Sequence, residues 1–122
     1  VTFHYYEPFH FTHQGADWVG EESKQWLGTT WDATDEEEAA ITRAFDQVGE
    51  WAARRHFRVL LGEFGAYSMA PMDSRVRWTA FVREQAEAHG FAWSYWEFGS
   101  GFGIYDPEAK VWREDLLKAL IP

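Results

Sequence analysis

Arg58-Val59-Leu60-Leu61-Gly62-Glu63 is the segment on which the architecture turns. Val59, Leu60 and Leu61 form a short, continuous apolar run, the pattern of a strand buried in a parallel sheet. The run stops at a glycine and hands over to a carboxylate. Upstream of it, Thr34 followed by Glu37 is a capping box, and Asp35, Glu36, Glu37 and Glu38 suit the positive end of a helix dipole. Ile41, Ala44, Phe45, Val48, Trp51 and Ala52 then recur at helical spacing, with Arg54 and Arg55 at the closing end. The acidic run is explained by capping and is given no catalytic part.

Downstream, a loop leads from Phe64 to Met72, and Asp73 is the expected cap of a second helix carrying Trp78, Phe81, Val82 and Ala86. Gly90 suits the left-handed position that ends a helix. Phe91–Trp96 reads as a third strand, and Val1–Tyr6 as the first. Between the first strand and the first helix lies a long loop, 7–33, of the length usually reserved for function. Gly99–Gly103 lacks the lysine and spacing of a phosphate loop and reads as a plain turn. The turn Tyr105-Asp106-Pro107 and a short helix with Leu116, Leu117, Leu120 and Ile121 close the chain. The order is βαβαβα in one domain, residues 1–122, with no internal repeat.

Composition narrows the function. The 122 residues are 46% apolar, with ten Phe and eight Trp, more indole than so small a core easily hides. A formal charge of −9 opposes a phosphate backbone, so no nucleic-acid partner is expected. No stretch is long and apolar enough for a membrane span. With no Cys, thiol chemistry and Cys-based zinc sites are excluded. His4, His10 and His13 have no regular ligand spacing, and neither metal nor cofactor is expected.

In βα architectures the working residues follow the strands. His4 and Tyr6, two apart, share a face of the first strand; Val59, Leu61 and Glu63 share one on the second; Ala92, Ser94 and Trp96 share one on the third. A Glu beside a His/Tyr pair and a Trp reads as a carbohydrate-cleaving site.

The segments Phe3-His4-Tyr5-Tyr6-Glu7-Pro8-Phe9, Phe11-Thr12-His13-Gln14-Gly15-Ala16, Gly62-Glu63-Phe64-Gly65 and Trp93-Ser94-Tyr95-Trp96-Glu97-Phe98-Gly99 together resemble family 5 glycoside hydrolases of the cellulase type. The resemblance implies a partial (β/α)8 barrel of about three βα units, similar to units six to eight. It implies an endo-β-1,4-glucanase acting with retention on cellulose or a related β-glucan. By position, Glu63 matches the nucleophile, Tyr6 the tyrosine that bonds it, His4 the histidine lining the cleavage subsite, and Trp96 the tryptophan under the sugar. Trp18 and Trp31 are candidate outer platforms, from composition alone.

The family's acid/base, a Glu preceded by Asn, has no counterpart, because the chain contains no Asn. Glu7 and Glu97 are the local candidates for a second carboxyl. The alternative is a catalytically incompetent C-terminal fragment that folds, self-associates and at most binds glucan. Three strands leave two free edges and, as expected here, an apolar inner face, so a homo-oligomer is anticipated. A secreted location, extracellular or periplasmic, goes with the resemblance. No signal peptide is present, and a start at Val1 reads as processed or cut.

Overall fold

The computed structural model describes all of residues 1–122. Parallel strands β1 (Thr2–Tyr5), β2 (Leu60–Phe64) and β3 (Ala92–Trp93) form one sheet in that order. The long helix α2 (Asp35–Arg55) joins β1 to β2, and α3 (Met72–Ala88) joins β2 to β3. The segment expected as loop 7–33 contains a one-turn helix, α1 (Phe9–Thr12), and a 3-10 turn, Glu21–Trp26. A hairpin of β4 (Tyr105–Asp106) and β5 (Val111–Trp112) precedes the closing helix α4 (Glu114–Leu120). Its two-residue strands are too short to leave a periodic signal.

The α2 cap forms as its spacing predicts. Thr34 Oγ1 accepts from Glu37 N–H at 3.2 Å, and Glu37 Oε2 accepts from Thr34 N–H at 3.0 Å. The apolar positions of α2 divide into two stripes. Ile41, Phe45 and Ala52 are buried, whereas Ala44 and Val48 are half-buried and Trp51 is 39% exposed. The second helix starts at Met72 behind Pro71, so Asp73 lies inside the first turn and pairs with Arg77 at 3.5 Å instead of capping. The third strand is shorter than its sequence pattern. Even so, Ser94 and Trp96 N–H groups donate to the Leu61 and Phe64 carbonyls, so the extended chain stays tied to β2 as far as Trp96.

The register between β1 and β2 corrects the expected strand faces. Phe3 pairs with Leu61 and His4 with Glu63, leaving Gly62 opposite no residue. That bulge reverses the alternation. Leu61 and Phe64 both enter the core with Phe3, Tyr5, Phe45 and Trp78, while Glu63 emerges on the other face beside His4. Leu61 and Glu63 therefore do not share a face.

Helices cover only one side of the sheet. The other side is open, and β2 is not buried on both faces: Leu60 is 40% exposed. Thr2, His4, Ala92 and Ser94 on that side are all exposed, and Glu63 beside His4 is half-buried. The expected apolar inner face is thus mostly small and polar, because glycine, Ser and Thr occupy the inward positions. No helix is long and apolar enough to cross a membrane.

Thr34→Ala should lower stability by about 1 kcal/mol, the usual worth of such a cap, read as an earlier urea midpoint with unchanged slope.

Candidate active site

The bulge at Gly62 sets the site. A Cβ at position 62 would lie 2.6 Å from Thr2 Oγ1, so glycine lets β1 and β2 close up there without displacing the Thr2 side chain. With the strands so placed, the Tyr6 hydroxyl donates to Glu63 Oε2 at 2.8 Å. His4 Nδ1 stands 3.5 Å from the same oxygen, longer than a good hydrogen bond, so the phenol is the nearer partner. Partial burial, then the bond to Glu63, pushes the Tyr6 phenol well above its ordinary range. It remains a proton donor to the carboxylate at any working pH.

These groups open into a cleft of about 480 Å³. Tyr6 and Glu63 form one end, and Trp96, 45% exposed, stands at another wall. Trp18, 62% exposed, closes the far side with its ring edge-on to Tyr67 at 5.0 Å. Phe102 makes the floor, within 6.2 Å of the rings of Tyr6, His13, Trp18 and Tyr67. One carboxylate among aromatic walls suits a polyhydroxylated ring, which offers both hydroxyls and apolar C–H faces.

Five residues of the lining, among them Ser100 and Gly101 of the turn read as plain, have no part in the expectations drawn from the sequence. His13, Tyr67 and Phe102 sit on loops, where neither strand nor helix periodicity applies. The Thr12-His13 pair was the available signal. Thr12 Oγ1 donates to the Tyr6 carbonyl at 2.6 Å and lies 2.8 Å from His13 Nδ1, tying the one-turn helix to the end of β1. Burial pushes the His13 imidazole below its ordinary value, against a smaller opposing pull from Glu7.

Three expected site residues are not brought to the cleft as platforms or acids. Trp31 is 1% exposed and packs on Phe81 beneath α3, so it offers no face to a sugar. Its backbone N–H donates to Ser74 Oγ and its carbonyl accepts from Arg77 Nε, which fold residues 30–32 back over the helix. Glu7 accepts from the Phe9 N–H at 3.1 Å and lines a separate hollow with Pro8 and Glu36. Glu97 is turned into its own loop, where its two oxygens accept from the N–H groups of Gly99, Ser100 and Phe102 at 2.8–3.2 Å. Desolvation would raise the Glu97 carboxyl, but these bonds outweigh it and hold the group below its ordinary value. That is the opposite of what a general acid needs. Glu97 instead shapes the glycine-rich turn that carries Phe102. Gly65 fits the same junction, since a Cβ there would collide with the Trp96 carbonyl oxygen.

A model of the cellulase family, glycosyl hydrolase family 5, matches residues 1–101. The chain belongs to this family. It is 36% identical to Endoglucanase H of Acetivibrio thermocellus over 125 residues, which is 98% of this chain and 12% of that protein. The structure of Cel5A from Thermotoga maritima in complex with cellobiose superposes with a TM-score of 0.94 at 46% identity. That match covers 98% of this chain and 38% of that one. The cellulose synthase subunit Z of Clostridioides difficile gives 0.94 at 42% identity, over 100% of this chain and 40% of that one. This family 5 chain therefore spans well under half the length of these relatives, and its fold is a partial (β/α)8 barrel.

Because the Glu97 carboxyl is depressed from its ordinary 4.5, its contribution is complete above that value and is lost as pH falls through the folded value. Glu97→Gln should therefore flatten the loss of stability on acidification below about pH 4.5, measured by urea unfolding at stepped pH.

Proposed function

We propose that this chain carries the nucleophile side of a retaining endo-β-1,4-glucanase site, with β-glucan as its substrate class. The observation that carries the reading is the 2.8 Å bond from the Tyr6 hydroxyl to Glu63 Oε2 inside an aromatic cleft. In this reading Glu63 attacks the anomeric carbon with its second oxygen. The glycosidic bond breaks as a glycosyl ester forms, the departing sugar oxygen takes up a proton from water or from an acid outside this lining, and water later hydrolyses the ester. Tyr6 keeps the carboxylate charged and aimed in the ground state. As the ester forms, the oxygen it bonds loses negative charge. His4 borders the same oxygen from the open face. Trp96 offers a ring to the sugar at the cleavage point, and Trp18 one to a neighbouring unit.

Support for the substrate class comes from relatives described as endoglucanases and from the cellobiose complex of the Thermotoga enzyme. A secreted location accords with an insoluble or polymeric substrate. Self-association remains part of the reading, resting on the free sheet edges.

A second reading is favoured by one observation: Glu63 is the single carboxylate in the cleft lining. Retention needs a second carboxyl roughly 5 Å away, protonated to help the leaving group depart. On this reading the chain alone binds glucan and does not turn it over.

Reducing-sugar release from carboxymethyl-cellulose by the purified chain separates the two. On the first reading, Glu63→Gln abolishes release and Tyr6→Phe lowers kcat by roughly a hundredfold to a thousandfold, a typical range for losing one positioned donor. On the second, release is absent from the start, while retardation in a glucan-containing native gel weakens in Trp96→Ala. Release that survives Glu63→Gln removes the nucleophile assignment.

A further inference from the structure

We propose that Thr12 fixes the tautomer of His13, so that His13 Nε2 presents a bare lone pair to the cleft and accepts a hydroxyl of the bound glucan. The ligand rests on the glucan reading above; the tautomer does not.

One hydroxyl proton decides the tautomer. Thr12 Oγ1 lies 2.6 Å from the Tyr6 carbonyl oxygen, a group that can only accept, so its proton points there. The Phe9 carbonyl at 3.4 Å is the weaker alternative and is likewise an acceptor. Thr12 Oγ1 is also 2.8 Å from His13 Nδ1. With its proton spent on a carbonyl, the hydroxyl meets that nitrogen only by accepting, so Nδ1 carries the N–H. Were Thr12 to donate to Nδ1, two oxygens would face each other at 2.6 Å with no proton between them. A neutral imidazole has a single N–H, which leaves Nε2 unprotonated. Burial favours that neutral ring by holding the imidazole below its ordinary value. An imidazole free in water prefers its proton on Nε2, so the tautomer here is a product of the fold.

Nε2 is thereby available to a ligand. His13 is 8% exposed, and no protein group bonds its Nε2. The polar side-chain atoms that are both unpaired and sealed from water are Arg75 Nη2 and Thr79 Oγ1, so Nε2 keeps an opening, and the hollow that the ring lines is the cleft. Phe9 stacks on the imidazole at 4.0 Å, and the rings of Tyr6 and Phe102 stand edge-on at 5.1 and 5.6 Å. That packing keeps the ring from turning over.

The rest of the lining makes such an acceptor useful. Every hydroxyl of a glucan brings a proton that needs a partner once water is displaced. Glu63 is the one carboxylate of the cleft, and the Tyr6 hydroxyl is spent on it. Trp18 and Trp96 can only donate, while the hydroxyls of Tyr67 and Ser100 rotate to either role. His13 Nε2 is the second side-chain acceptor whose role is fixed. A ligand with no hydroxyl to give would leave it buried and unpaired, which is a source of selectivity.

The ring itself is the readout. Nitrogen-15 spectra of histidine-labelled chain at about pH 8, where imidazoles are neutral, should show His13 Nδ1 protonated and Nε2 bare. Thr12→Ser should keep that pattern, and Thr12→Val should move the proton to Nε2. Saturation with cellotetraose should shift the Nε2 signal of the parent chain. By calorimetry, Thr12→Val should weaken cellotetraose binding about fivefold, the ordinary worth of one hydrogen bond, and Thr12→Ser should not. In a His13→Phe background, Thr12→Val should add no further loss. A parent spectrum with the proton on Nε2 overturns the positioning role, whether or not Thr12→Val folds. A Thr12→Val loss that persists without the imidazole overturns it too. Cellotetraose bound with the Nε2 signal unmoved overturns the acceptor role alone. No binding by the parent chain overturns the glucan reading, and the acceptor role falls with it.

Discussion

A one-residue slip between two strands organises this molecule. At Gly62 the chain advances one residue without a partner on β1, so Leu61 and Phe64 both turn into the aromatic core while Glu63 turns out of it. An unbroken strand would put Leu61 and Glu63 on the same side, with either an apolar group in the cleft or a carboxylate in the core. The bulge removes that conflict. Glycine suits it, because a Cβ there would press on the Thr2 hydroxyl at 2.6 Å. Core and cleft are thus fixed by the same backbone feature, and the Tyr6–Glu63 bond is its direct product.

A second layer of order comes from polar groups that hold loops rather than act on ligands. Glu97 gathers three backbone N–H groups and fixes the glycine-rich turn that carries Phe102. The Tyr95 hydroxyl donates to the Phe102 carbonyl at 2.7 Å, and the buried Arg75 anchors the neighbouring loop through the Ala66 carbonyl. Thr12 and Trp78 tie down the segment after β1 through the Tyr6 and Glu7 carbonyls. The cleft walls are loops, yet each is pinned by a bond from a side chain that faces away from the ligand space. Such support keeps rings at fixed separations without rigid secondary structure beneath them.

Much of this was legible from residue order. The two long helices, the capping box of the first and the three strand positions follow from local sequence pattern, and Glu63, Tyr6 and Trp96 follow from the strand ends. Face assignments were less legible, because a bulge shifts parity without altering composition. Trp31 shows the limit of counting indoles: its burial depends on a return of the chain over α3, fixed by Ser74 and Arg77 far away in sequence. Glu97 was visible as a carboxylate near the site but not as a loop anchor, since its partners are backbone groups that every residue has. His13 and Phe102 lie on irregular segments where no period points inward. Local patterns carry what local forces decide, and long-range closure decides the rest.

The open side of the sheet bears on how such a piece behaves in water. Thr2, His4 and Ser94 are hydrated there, with only Leu60 as a sizeable apolar neighbour. Burying that surface strips water from two hydroxyls and an imidazole, and each must find a new partner for the exchange to be favourable. Ser94 has one already in the Gly62 carbonyl at 2.6 Å. A wettable concavity is a poor seed for indiscriminate clumping. Wrong neighbours, unable to restore those bonds, are rejected by dehydration alone.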